Sequence, residues 1–141
     1  MPALIELTVE ECERLLRRGT FGRVVLSTPL RTEVLPVNYA VHDSTLVVHA
    51  SRDGLLARYA DGADLVFEVD FVDEERWQGW SVVARGRGRV STDFRGVAPV
   101  RPWAAGERTC EVQLGWDELT GRKVGAGWDP EETGYSRRAV R

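Results

Sequence analysis

Residues 79–89 read GWSVVARGRGR and lie within the longest predicted strand, Gly79–Thr92. Successive side chains of an extended chain point to opposite faces of a sheet. One face therefore carries Ser81 and three arginines, and the other carries Trp80, Val82 and two glycines. Glycines inside a strand usually mark curvature or the close approach of another backbone. The pattern predicts a curved sheet with an apolar inner face and a solvated outer face.

Five further segments have strand-like patterns bounded by turn residues. They are Phe21–Ser27, Val34–Val41, Thr45–Ala50, Leu65–Phe71 and Thr109–Gly115. The first three are expected to form an antiparallel meander. The acidic run Asp70–Glu75 is expected to be a solvated loop.

Two short helices are predicted among these strands. Thr8 and Glu11 form a capping box, and that helix ends at Gly19. A second helix fits Asp53–Ala60, where apolar residues share one face. The fold class is therefore mainly β with short α: six antiparallel strands in a closed or nearly closed barrel, with two or three short helices.

Composition restricts the classes of function. The chain has 141 residues and a formal net charge of -3, which suits one domain and argues against nucleic acid or an anionic membrane as the main partner. The N-terminus does not resemble a signal peptide, and no run approaches the roughly 20 apolar residues of a membrane span. We expect a cytoplasmic protein with two buried thiols. A domain over residues 1–127 and an extended tail over 128–141 are predicted.

The chain does not show the common catalytic patterns. It has only two histidines, and its two cysteines form no metal or redox motif. No metal site is predicted and no catalytic side chain is assigned. Any chemistry would therefore depend on an organic cofactor.

A candidate phosphate site follows the strand that ends at Ala50. An apolar strand leads into a predicted helix that begins with Ser51, Arg52, Asp53 and Gly54. Backbone N–H groups, a hydroxyl, a guanidinium and His49 at the strand end all suit an anion. The alternative is that Ser51 only caps the helix and Arg52 is solvated.

A second candidate segment is the run Pro36-Val37-Asn38-Tyr39. Proline removes one ladder donor and therefore indicates an edge or bulged strand, whose neighbours can present backbone groups to a ligand. Asn38 offers a donor and an acceptor to a heterocycle, or else bonds locally. Trp80 and Ser81 are placed to line a pocket.

The chain resembles the pyridoxamine 5′-phosphate oxidase-like FMN-binding split-barrel superfamily, in its nitroimidazole-resistance-type branch. The resemblance lies in the order and spacing of the capped helix, the runs at 36–39, 49–51 and 79–83, and the late Leu119-Thr120-Gly121-Arg122. The resemblance implies a split barrel and a homodimer with flavin mononucleotide (FMN) at the subunit interface. It places the flavin ring along Pro36, Val37, Asn38 and Tyr39. It places the phosphate near His49, Ala50, Ser51 and Arg52, with Leu55 close by, and brings Trp80 and Ser81 from the partner. Many members of that superfamily carry a basic residue soon after the serine, where this chain has Asp53 and Gly54.

The resemblance favours an FMN-dependent oxidoreductase acting on a small organic molecule. Two alternatives stay open at this point: a deazaflavin-coenzyme-dependent reductase of the same fold, and a non-catalytic flavin-binding or sensing protein.

Overall fold

The computed structural model describes residues 4–92 and 110–125. Its strands are β1 Leu4–Glu6, β2 Phe21–Ser27, β3 Thr32–Asn38, β4 Ala40–His42, β5 Thr45–Ala50, β6 Asp64–Asp73, β7 Gln78–Ser91 and β8 Cys110–Val124. Its helices are α1 Val9–Arg18 and α2 Leu55–Tyr59. The predicted tail 128–141 lies outside the described residues, and so does Thr109, the first residue of the predicted strand Thr109–Gly115.

The eight strands form one antiparallel sheet in the order β3-β2-β6-β7-β8-β5-β4, with β1 on β8. The two ends of this order, β3 and β4, are consecutive in the chain and separated only by Tyr39. The sheet therefore curls until its ends meet at that residue. The predicted antiparallel split barrel is confirmed, with eight strands where six were predicted.

The difference in strand number has two causes. The predicted strand Val34–Val41 is divided at Tyr39: its first part pairs with β2 and its second part with β5. Both pairings of the predicted meander are present, but they lie at opposite ends of the sheet order. The short β1 supplies the other extra strand.

Tyr39 is held in the core at this break. Its N–H donates to the Thr20 carbonyl at 3.0 Å and its hydroxyl to the Leu16 carbonyl at 2.6 Å. Its ring meets that of Phe67 edge-on, with centroids 4.7 Å apart. The strand turns at this residue because its backbone is bound to Thr20, just before β2, and its side chain to Leu16 in α1, and neither is bound to β5.

Helix α1 covers one end of the barrel. The predicted capping box is present, since Glu11 N–H donates to Thr8 Oγ1 and Thr8 N–H donates to Glu11 Oε1, each at 3.2 Å. The backbone bond to Thr8 is the largest cause that lowers the pKa of Glu11. Cys12, Leu15 and Leu16 are buried beneath the helix, and burial raises the pKa of Cys12 to about 11.

The long strand β7 alternates as predicted, with its even-numbered positions from 80 to 88 buried. A Cβ atom added at Gly88 would lie 2.2 Å from the Ala60 carbonyl oxygen, and one at Gly86 would lie 2.1 Å from the Gly115 carbonyl oxygen. Both glycines therefore allow close backbone approach, as the pattern indicated.

Three local predictions were wrong. The first four of the six residues in the acidic run belong to β6, because residues 70–73 pair with β7. Strand β8 continues past Gly115 to Val124, since it pairs with the whole length of β7. Helix α2 begins at Leu55 rather than Asp53, because Gly54 N–H donates to the Ser51 carbonyl at 3.0 Å in a tight turn. In the part of the chain described, no helix is long and apolar enough to cross a membrane.

Candidate functional site

The sheet opens where β3 leaves β5. Strand β4 pairs with β5 so that Ala40 lies opposite Val47. Continued past Tyr39, this register would place Asn38 opposite His49. The chain instead turns to pair with β2, although Cα atoms of β3 and β5 still approach to 8 Å or less. We call this gap, between residues 36–38 and 49–51, the β3–β5 opening.

Four of the predicted site residues face the outer side of the barrel across this opening. Leu35 and Val37 pack on the core, and the alternation of β3 therefore points Pro36 and Asn38 outward. Val48 and Ala50 belong to the core, and His49 and Ser51 therefore point outward from the other edge. If the β4–β5 register continued past Tyr39, Asn38 would lie opposite His49 and Pro36 opposite Ser51.

The backbone of β3 suits a ligand in the opening. Residues of an antiparallel pair alternate between exchanging backbone bonds and directing them away from the partner. Because Tyr39 N–H donates to the Thr20 carbonyl, Val37 exchanges bonds with β2, whereas Pro36 and Asn38 direct their backbone groups toward the opening. Pro36 lies on the terminal strand, as predicted, and its missing N–H costs no ladder bond.

The Asn38 side chain also makes a local bond. Its Nδ2 donates to the Thr20 carbonyl at 3.4 Å, which is long for an N–H···O bond. The Tyr39 N–H reaches the same carbonyl at 3.0 Å. The bond from Asn38 is therefore the weaker of the two that this carbonyl accepts.

The second edge of the opening ends in a turn rather than in a helix. The Ser51 carbonyl accepts from Gly54 N–H at 3.0 Å, and the Cys110 thiol lies 3.9 Å from the same oxygen. Arg52 is exposed at the tip of this turn. Leu55 opens α2 and packs on the core. The candidate anion donors are therefore turn N–H groups, Ser51, Arg52 and His49, because a helix of five residues has only a weak dipole.

Other predicted site residues face the interior. Tyr39 and Ala50 are buried, and Val37 packs against the core. Their side chains do not reach the opening, and the backbone groups of Val37 and Tyr39 bond on the side of β2. The backbone role inferred for the Pro36–Tyr39 run is therefore compatible with the placement of Pro36 and Asn38, but not with that of Val37 and Tyr39.

Trp80 and Ser81 lie apart from the opening. The pairings of β3, β2, β6 and β7 place Ser81 in one row with Asn38, three strand spacings away, or about 14 Å. Trp80 and Ser81 line an open cavity of about 790 Å³ at the β6–β7 turn, together with Val72, Trp77 and Arg122. The β3–β5 opening and this cavity are therefore separate places on one chain.

A charge cluster beside the opening was not foreseen. Arg23 lies opposite Pro36 on β2, and its Nη1 is 3.2 Å from Glu68 Oε2 and 3.6 Å from Asp70 Oδ1. Burial, followed by the neighbouring Asp70, raises the pKa of Glu68 to about 7, although Arg23 opposes the shift. The three residues belong to strands that only the sheet order brings together.

Glu111 is a second residue that the sequence did not single out. It is cross-strand partner to His49 and has 0% exposure. Nothing in its local sequence distinguishes it from other strand glutamates. Among residues 4–92 and 110–125, no group of three or more His, Cys, Asp or Glu side chains is arranged to hold a metal ion.

Comparison with known proteins places the fold and the sequence in one family. The family profile described as pyridoxamine 5′-phosphate oxidase matches residues 8–122. An uncharacterized protein of Mycobacterium tuberculosis is 30% identical over 133 residues, covering 86% of each chain. A solved FAD-binding protein from Mycobacterium smegmatis shares 28% identity at a TM-score of 0.68, over 86% of this chain and 98% of that one.

A more distant structure shares the fold alone. It is a proposed 5-nitroimidazole antibiotic resistance protein from Bacteroides thetaiotaomicron, with 14% identity and a TM-score of 0.65 over 88% of this chain and 89% of that one. The resemblance inferred from the ordered motifs is confirmed by these matches. The chain belongs to the pyridoxamine 5′-phosphate oxidase family.

Proposed function

We propose that the protein binds FMN in the β3–β5 opening and uses it to oxidise or reduce a small organic molecule. One observation carries the proposal: Pro36, Asn38, His49 and Ser51 lie on the outer side of the barrel, on the two edges of the opening. The two segments that the sequence suggested for ring and phosphate are ten residues or more apart in the chain. The pairing of β4 with β5 brings them near each other, and the strand break at Tyr39 leaves the opening between them.

The turn at 51–54 would hold the phosphate. Turn N–H groups and the Ser51 hydroxyl can donate to its oxygens, and the Arg52 guanidinium adds a charge-assisted contact. Asp53 beside Arg52 is exposed and can turn toward water. The donor set therefore fits a phosphate with one strong cation, Arg52.

The edge of β3 would hold the ring. The Pro36 carbonyl and the backbone and side chain of Asn38 can meet the polar edge of a heterocycle. Proline fixes its own backbone, so this edge is rigid before a ligand arrives. When bound, the flavin ring supplies the electron or hydride transfer, while the protein binds and orients it.

FAD is the competing cofactor. The Mycobacterium smegmatis relative is described as FAD-binding, and FAD contains the FMN group with an added nucleotide. The mass of the molecule released by denaturing the purified protein separates the two. Release of FMN would support the proposal. Release of FAD would show that the protein binds a flavin, but that the cofactor is not the FMN we propose.

We further propose that the protein is a homodimer. The cavity lined by Trp80 and Ser81 lies about 14 Å from Asn38 on the same chain. A second copy can bring its own cavity to the flavin held in the opening, so that the two chains together form one site. Trp77 at its rim is 81% exposed, which suits burial against a partner. A stable monomer in light scattering at micromolar concentration would contradict this part of the proposal.

Replacement of Arg52 tests the phosphate position. Arg52→Ala should weaken FMN binding about tenfold to a hundredfold, because a charge-assisted bond contributes about 1.5–3 kcal/mol. Arg87→Ala is the control, since Arg87 is also an exposed arginine but lies on β7, outside the opening. Its Nη2 lies 3.8 Å from Asp64 Oδ1 on β6. Flavin titration compares the variants, and thermal melts of the apo forms check folding. Equal affinities for all three proteins would place the phosphate elsewhere.

Two measurements separate the remaining alternatives. A bound deazaflavin coenzyme would differ from FMN in absorbance and mass. A non-catalytic flavoprotein would show no turnover with a nicotinamide donor and an electron acceptor. A cytoplasmic location stays a prediction.

A further inference from the structure

The cavity at the β6–β7 turn is built on an apolar row of the outer sheet face. The pairings of β6, β7, β8 and β1 place Val72, Gly79, Val124 and Leu4 side by side in that order. All four residues line the cavity of about 790 Å³. Val72 is 64% exposed and Leu4 is 62% exposed. A contiguous exposed apolar surface of this kind indicates a binding site.

Gly79 leaves a gap in this row that suits a flat molecule. Because neighbouring strands are about 4.8 Å apart, Val72 and Val124 stand about 10 Å apart on either side of Gly79, which has no side chain. A planar ring can therefore lie on the strand at Gly79, with a valine at each edge. The volume of the cavity is within the range of small-molecule sites.

Trp77 adds an exposed aromatic surface to the same cavity. Its side chain is 81% exposed, and its backbone has a φ of 54°. Bulky residues rarely adopt this left-handed conformation. Local strain that the surrounding structure maintains is a reason to look for a functional role. An exposed indole can stack on an aromatic ring and attract a cation to its face.

The charges around the cavity favour a cationic ligand over an anionic one. The lining contains one guanidinium, that of Arg122, and three carboxyl groups, those of Asp70, Asp73 and Glu74. Arg122 also lies opposite the carboxyl-bearing Glu6 of β1. Arg23 offsets part of the charge of Asp70, since its Nη1 lies 3.6 Å from Asp70 Oδ1. The lining is formally negative on balance, and a negative cleft raises the local concentration of cations.

We propose that this cavity binds a planar, apolar molecule that carries a positive charge, such as an aromatic ammonium ion. The ring lies over Gly79, and the charge points toward Trp77 and Glu74. The role of the molecule rests on the proposed function: it is the class of substrate that the cavity of a second copy would bring to the flavin. The binding itself involves residues of one chain and can be measured without flavin.

Three naphthalene compounds with the same rings test the charge preference. They are 2-naphthylmethylammonium, the neutral 2-naphthylmethanol and the anionic 2-naphthoate. In calorimetric titrations of the purified protein, the ammonium ion should bind at least about tenfold more tightly than naphthoate, and added salt should reduce the difference. Equal or tighter binding of naphthoate would overturn the proposal, and so would the absence of binding by all three at millimolar concentration.

Two neighbouring glutamates locate the charge. Glu74→Gln should weaken binding of the ammonium ion about twofold to fivefold, as expected for an exposed charge pair. Glu75→Gln is the matched control, because Glu75 is an exposed glutamate of the same turn that lies outside the cavity lining. Equal losses in the two variants would indicate a general attraction to an acidic surface and would contradict the proposed site.

Replacement of Trp77 locates the aromatic contact without threatening the fold. Glycine adopts a φ of 54° without strain, so Trp77→Gly should melt at the same temperature as the unmodified protein or higher. It should bind the ammonium ion about fivefold or more weakly, and Trp77→Phe should retain most of the affinity, because a phenyl ring also attracts a cation. Unchanged affinity in Trp77→Gly would overturn the proposal.

Failure of this proposal and failure of the proposed function give different results. Flavin titration and the mass of the released molecule decide whether the protein binds FMN. If the protein binds no flavin but shows the predicted preference for the ammonium ion, the cation site stands and the proposed function falls. If it binds FMN but its cavity prefers naphthoate, the proposed function stands and the cation site falls.

Discussion

Replacement of Asn38 tests where the ring lies. Asn38 points outward at the last position of β3, on one edge of the β3–β5 opening. Neighbouring strands are about 4.8 Å apart, so an indole at this position would fill the opening without entering the core. We expect Asn38→Trp to weaken flavin binding at least a hundredfold, or about 2.7 kcal/mol.

Truncation at the same position should have a much smaller effect. Asn38→Ala removes one side-chain bond, which contributes about 1 kcal/mol or about fivefold in affinity. The substitution also removes the 3.4 Å contact with the Thr20 carbonyl in the apo protein. The free energy of unfolding should therefore fall by no more than about 1 kcal/mol.

Flavin titration with thermal melts and light scattering gives the comparison. Val34→Trp is the matched control, because Val34 is 58% exposed on the same face of β3 and lies about 13 Å from Asn38. It places the same bulk on the strand outside the opening. An Asn38→Trp protein that is folded and binds flavin as tightly as the unmodified protein would refute the ring position.

Three further predictions test the fold around the site. Tyr39→Phe should lower the free energy of unfolding by about 1–2 kcal/mol through loss of the buried 2.6 Å bond to the Leu16 carbonyl, and should change flavin affinity less than twofold; a large loss of affinity would contradict its inward placement. Gly88→Ala should destabilise the protein by about 2–3 kcal/mol, because its Cβ would lie 2.2 Å from a backbone oxygen. Gly115→Ala is the control and should not destabilise it, because its Cβ would have no contact nearer than 3.9 Å. Similar melting temperatures for the two variants would count against the close approach at Gly88. The pKa of Glu68 is raised from 4.5 to about 7, so the folded state favours its protonated form. The contribution of Glu68 to the free energy of unfolding is therefore complete below pH 4.5 and is lost as the pH rises through about 7. Relative to Glu68→Gln, the unmodified protein should lose about 1–2 kcal/mol of stability between about pH 5 and pH 8, after allowance for solvent screening, and parallel stability curves from urea unfolding would exclude the shift.

Local patterns in the sequence predicted the elements well because their causes are local. The alternation of β7 and the capping box at Thr8 depend on residues a few positions apart, and both are present. The outward positions of Asn38 and His49 follow from the same alternation. The candidate segments could therefore be found from the sequence before the strands were paired.

The arrangement of those segments could not be predicted in the same way. The strand break at Tyr39 depends on Leu16 and Thr20, about 20 residues away. The contact of Glu111 with His49 depends on the register of two strands 60 residues apart in the chain. The onset of α2 was misplaced because Ser51 and Asp53 suit either a helix start or a turn, and the Gly54 N–H bond selects the turn.

The central claim is that a flavin lies across the β3–β5 opening, and a crystal structure of the protein saturated with FMN tests it most directly. The account predicts electron density for the phosphate against residues 51–54 and for the ring along Pro36 and Asn38. Density for the whole cofactor away from both strands, for example confined within one chain to the cavity at Trp80 and Ser81, would contradict it.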